Sequence, residues 1–310
     1  MPLPPLPSRT APAPRAARTA GTAHTPRRPG PAVLCLALLA LATGCASTPP
    51  AAPPAAPPGR PAPPPAAASP VTYGLPVDTV SLVLPATGAE SRGAQGLDAF
   101  GQLAAAWAVE NCVRKRGGTP PDGPPPMFTR YALLPDLEHL RAHGFGSDTR
   151  VPGAPPPADP AAAPGPAPRA CLAEGRNAGR GLADVYGALR NRWFEEIAPV
   201  DRSPGVRRAL LGLRDCLTAH RVDARDEESF FALVDRRLQN GDTAAGRALG
   251  RTYADCMAPV EAVREPLRAK AAERFRAAHS AEIAAVRAEL PARIGELETR
   301  YGIRFSFPAL

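Results

Sequence analysis

Ala32 to Cys45 reads AVLCLALLALATGC, a short apolar run closed by small residues and a cysteine, with arginines and no acid before it. Crossing a bilayer takes about 20 apolar residues, and this run supplies only about 12 to 13. The layout is instead that of a bacterial lipoprotein signal peptide. Gly44 is small enough for the signal peptidase, and the Cys45 thiol is the group that receives a diacylglyceryl chain. On this reading residues 1–44 are a signal peptide and Cys45 becomes the first residue of the mature protein. The body must then fold without them.

Removing that segment changes the charge. The chain has a formal net charge of +8. Residues 1–44 hold Arg9, Arg15, Arg18, Arg27 and Arg28, which leaves thirty-two basic against twenty-nine acidic residues. So small an excess does not make the concentrated basic stripe of a nucleic-acid surface. Residues 45–70 are dominated by proline and alanine and cannot build a core. They are expected to form an extended tether with a reach of about 75–80 Å at about 3.1 Å per residue. A second biased stretch, 153–168, reads GAPPPADPAAAPGPAP and is expected to be a disordered insertion within an ectodomain spanning 71–310.

Cys35 leaves with the signal and Cys45 takes the lipid. Cys112, Cys171, Cys216 and Cys256 remain, an even number on the oxidising side of a membrane, and two disulfides are expected. Four cysteines allow three connectivities. Nearest-neighbour closure, Cys112–Cys171 with Cys216–Cys256, is worth about 4 kcal/mol per loop in the chain-entropy account. A four-thiolate zinc site needs a close Cys-x-x-Cys pair, and the chain has none.

Helical periodicity dominates the body, and the expected fold is mainly α: an irregular helical bundle with two disulfides and a long C-terminal helix. Phe100, Leu103 and Trp107 mark one helix over about 98–116, and a short one is expected over 135–143. Leu182, Val185, Leu189, Trp193 and Ile197 form a second stripe. Ser203-Pro204 is a helix start, with Val206, Leu210, Leu213 and Leu217 behind it. Asp226 opens a helix carrying Phe231, Val234 and Leu238, and Thr243 caps one carrying Leu249, Tyr253 and Cys256. The longest helix is expected over 260–300, with Val263 and Leu267 on its apolar face and a kink at Pro291. Its heptad-like seam from Ile283 to Tyr301 is expected to close the protein's own bundle. Thr79 to Leu84 and Ile303 to Phe307 are the strand candidates.

Few residues form a chemical constellation. The chain has no Gly-x-Ser-x-Gly, no P-loop and no His-Glu-x-x-His. The glycine-rich run Gly175 to Gly181 follows no strand, so it reads as a helix start or loose turn rather than a phosphate cradle. His139 and His143 are spaced i, i+4 beside Asp136 and Glu138. They are weak candidates for a metal pair, since two histidines on a short surface helix more often bind nothing. Cys216 and His220 have the same spacing, but a disulfide at Cys216 removes the nucleophile. Glu195 and Glu196 are adjacent, so on a helix they point about 100° apart and read as a solvated face. No catalytic residue, metal or cofactor is assigned.

The runs YGLPVDTV from Tyr73, NCVRKRGG around Cys112 and FTRYALLPDLEHLRAHGFG from Phe128 resemble uncharacterised secreted lipoproteins of actinobacteria with repeated Cys-x-x-x-Gly units. ACLAEGRNAG at Cys171, RDCLTAHRVD at Cys216 and YADCMAPVEAVREPLRAKAAERF from Tyr253 follow in the same order. Two positions depart: Arg221 stands where the second cysteine unit should end in glycine, and Ala132 replaces another glycine. The resemblance implies a helical, disulfide-bearing envelope protein and supplies no activity. The expectation is an extracytoplasmic, lipid-anchored, non-enzymatic binding or structural protein at the outer face of the cytoplasmic membrane. Its partner would be an envelope protein or cell-wall component and not a nucleic acid. The alternative is an envelope hydrolase whose cleft gathers several of Asp136, His139, His143, Glu195 and Glu196.

Overall fold

Most helix starts among the described residues are set by short polar side chains. In the computed structural model, which describes residues 70–120, 125–128, 134–146, 150–155 and 168–310, Thr87 accepts from the Glu90 amide. Glu90 answers at the Thr87 amide, a reciprocal capping box that satisfies two helix-end donors. Helix α1 therefore runs Gly88–Lys115, ten residues earlier than the apolar stripe alone suggests. Asp136 caps α2 (Leu137–His143), Ser203 caps α4 (Pro204–Leu210) and Asp226 caps α6 (Glu227–Gln239). Between these lie α3 (Arg169–Ile197) and α5 (Leu213–Ala219). Helix α7 (Thr243–Ala278) is capped by Asp242 rather than Thr243, and α8 (Ser280–Tyr301) follows it. The expected signal segment 1–44, the expected tether through residue 69 and residues 156–167 of the expected insertion lie outside the described residues.

Several boundaries differ from expectation for physical reasons. Thr79–Leu82 forms a 3-10 helix rather than a strand, because the Asp78 carboxylate accepts from the Val80 amide and starts a turn. Val80, Leu82, Val83 and Leu84 are all buried, which needs no alternation of faces. Gly175 to Gly181 lies inside α3. A Cβ at Gly175 would stand 2.9 Å from the Ala105 carbonyl of α1, so the glycine permits close helix contact and no loop forms. The Val206 to Leu217 stripe is split at Leu211-Gly212 into α4 and α5. The chain breaks between α7 and α8 at His279, while Pro259 and Pro266 lie within α7 and Pro291 within α8.

The two strands, β1 (Val71–Tyr73) and β2 (Ser306–Pro308), pair antiparallel with Thr72 opposite Phe307. This ties the tail to the first described residues of the body. All described residues belong to one compact unit. Within it, one core joins α1, α3, the second half of α7 and α8 around Phe100, Trp193, Phe275 and Leu290. Ile283, Val286, Leu290, Ile294 and Leu297 are buried in it, so the heptad-like seam closes the protein's own bundle. A second core joins α2, α4, α5, α6 and the first half of α7 around Phe145, Phe230, Tyr253 and Met257. The disulfides are Cys112–Cys171 and Cys216–Cys256. The first staples α1 to α3; the second staples α5 to α7.

Candidate functional site

Helix α7 serves both cores, and the charged residues lie where it passes from one to the other. Tyr253, Met257 and Val260 belong to the second core; Ala271, Ala272 and Phe275 belong to the first. Glu261, Arg264 and Arg268 continue the same helical phase between them and are all buried. The expected phase had placed Val263 and Leu267 inward. Both are only half-buried, and the guanidinium groups take the inner positions.

Burying three charges is tolerable only if each is paired. Glu261 accepts from Arg264 Nη1 at 3.0 Å and from Arg268 Nη2 at 2.5 Å. Arg264 also reaches Glu227 on α6 at 3.0 Å and Asp201, in the turn after α3, at 2.8 Å. Arg268 Nε donates to the Ala86 carbonyl at 2.9 Å, just ahead of the α1 cap. Tyr253 donates its hydroxyl to Glu227 at 2.7 Å. Burial, then the Glu227 charge, pushes the Tyr253 hydroxyl far above its ordinary value, so it stays a proton donor. Burial opposes the Arg264 charge, but the bond and field of Glu227, then Glu261 and Asp201, outweigh it and hold the guanidinium protonated.

A cleft of about 520 Å³ opens over this network. Its apolar wall is Leu134, Phe194, Ile197, Val200 and Phe231; its polar wall is Asp201, Glu227, Tyr253, Arg264 and Arg268. Small-molecule sites are commonly clefts of about 300–1,000 Å³ with a few placed polar groups, and this one has that size and make-up. Spacing arguments missed it because its residues come from four separate segments. One signal was available: Glu261, Arg264 and Arg268 share the phase of the apolar stripe.

The residues singled out by sequence lie elsewhere. His139 and His143 stack with ring centroids 4.7 Å apart, and His139 Nδ1 lies 3.2 Å from the Ala309 carbonyl. Burial, then the neighbouring His143, lowers the His139 pKa below its ordinary 6.5. His143 Nε2 is buried without a hydrogen-bond partner. Asp136 pairs with Arg92 at 2.7 Å, and among the described residues no third metal-binding side chain joins the two histidines. Cys216, His220 and Cys256 bring their ligand atoms within 4.8 Å of one another, but both sulfurs are consumed by the disulfide. Glu195 and Glu196 are exposed, and Glu196 pairs with Arg274 at 3.3 Å. None of Asp136, His139, His143, Glu195 or Glu196 lines the cleft.

Fold and site together define a mainly helical, doubly disulfide-bonded protein with a ligand-sized cleft at the junction of two cores. No protein-family model, curated protein or solved structure matches this chain.

Proposed function

We propose that the chain is an extracytoplasmic lipoprotein, anchored through Cys45, whose body is a non-enzymatic binding protein for a small component of the cell envelope. The observation that carries the binding half is the cleft between the two cores. Its titratable groups already hold one another in a fixed network: Arg264 spans Asp201, Glu227 and Glu261, and Glu227 also accepts from Tyr253. Such an arrangement orients a ligand and leaves no histidine or thiol in the lining to act as base or nucleophile. That none of Asp136, His139, His143, Glu195 and Glu196 lines the cleft also supports a binder over a hydrolase. The anchoring half rests on the run from Ala32 to Cys45.

Cell fractionation of the Cys45→Ala variant tests the anchor. The variant is expected to lose lipid labelling and signal processing. An acylated variant retained normally at the membrane overturns the proposal.

A further inference from the structure

Charge and hydrogen-bond capacity in the cleft are unevenly distributed, and the imbalance points to a ligand class. The lining holds two carboxylates, Asp201 and Glu227, and two guanidinium groups, Arg264 and Arg268, but the carboxylates are 62% and 28% exposed and the guanidinium side chains far less. Arg264 donates from Nη1 to Glu261 and from Nη2 to Glu227, and its Nε lies 2.8 Å from Asp201 as an ion pair. Two nitrogens of Arg268 serve the Ala86 carbonyl and Glu261. The Tyr253 hydroxyl hydrogen is spent on Glu227. The remaining guanidinium N–H groups sit on side chains only 8% and 4% exposed, so donors at the polar wall are largely shielded.

Acceptors are not. An ionised carboxylate offers about four lone-pair sites. Asp201 contributes one oxygen to Arg264, and its side chain is 62% exposed. Glu227 uses one site on each oxygen, for Tyr253 and Arg264, and its side chain remains 28% exposed. Both carboxylates grip the same guanidinium, so their remaining sites lie side by side in the lining. An anion entering there meets two exposed carboxylates before it can reach the nearly buried guanidinium groups, and pays for desolvation beside like charge. A cation finds open acceptors, and an apolar body finds Leu134, Phe194, Ile197 and Val200.

We propose that the cleft accepts an organic cation, an ammonium group on an apolar body, with the charge at Asp201 and Glu227 and the body against Leu134, Phe194 and Ile197. This rests on the binding reading of the cleft given above and names its ligand chemistry.

The test is calorimetric titration of the full lipidated chain in non-ionic detergent with three matched probes: phenethylammonium, phenethyl alcohol and phenylacetate. Phenethylammonium is expected to bind about tenfold tighter than phenylacetate, and its affinity to fall with added salt. Asp201→Asn is expected to weaken phenethylammonium severalfold and to leave phenethyl alcohol unchanged. Phenylacetate binding as tightly as phenethylammonium in the unaltered protein overturns the cation proposal while leaving the cleft a ligand site. Binding of none of the three overturns the cleft reading itself.

Discussion

At the scale of single residues, the buried Glu261 is the position on which both the cleft and the core junction depend. It neutralises Arg264 and Arg268 together, and its side chain is only 6% exposed. Removing one partner of a buried ion pair typically costs about 3–5 kcal/mol, because the other charge is left stranded. Urea unfolding of Glu261→Ala is therefore expected to show a loss of about that size. Arg274→Ala, which breaks only the exposed pair with Glu196, is expected to stay within about 0.5 kcal/mol. His139 gives a second residue-scale expectation. Its folded pKa is depressed by burial and by His143, with Asp136 opposing and Arg92 assisting. The unfolded chain thus binds the proton more readily than the folded one. This contribution is present above pH of about 6.5 and is lost as pH falls below it. Melting temperatures of the native chain are expected to drop through that window more steeply than those of His139→Asn, which keeps a donor for the Ala309 carbonyl and does not titrate.

At the scale of elements, the cost of backbone shape shows at two places. Arg221 has φ 59° and is the only non-glycine among the described residues in the left-handed region. It ends the helix that carries Cys216, as Gly117, with φ 70°, ends the helix that carries Cys112. The left-handed region costs an ordinary L-residue about 1–2 kcal/mol, partly offset by the entropy that glycine gains when unfolded. Arg221→Gly is expected to raise stability by up to about 1 kcal/mol in chemical denaturation. Where α2 crosses α7, a Cβ on Gly250 would come within 2.5 Å of both the Gly144 Cα and the Leu140 carbonyl. Gly250→Ala is expected to cost about 1–3 kcal/mol, or more where the backbone cannot shift. Elements were the most legible level of the sequence. The α3 stripe and the Ser203 and Asp226 starts were readable because period and capping are local properties. The 3-10 turn at Thr79, the helical burial of Gly175 and the break at His279 were not, because each depends on what packs opposite.

At the scale of the whole molecule, α7 is shared by two cores, and its charged middle turn forms the polar wall of the cleft. Composition made a helical body with two disulfides legible, and the nearest-neighbour pairing is the one adopted. The cleft was not legible. Leu134, Phe194, Asp201, Glu227 and Arg264 approach only after the chain has folded, and none belongs to a catalytic or ligand-binding motif. The two disulfides suit an oxidising compartment, which agrees with the proposed lipid anchor at Cys45. The most direct measurement is the intact mass of the protein extracted from membranes, taken with thiol alkylation before and after reduction. The account predicts a chain beginning at Cys45, carrying diacylglycerol, with no alkylated cysteine before reduction and four after it. An unlipidated N-terminus elsewhere, or free thiols at two or more of Cys112, Cys171, Cys216 and Cys256, would contradict it.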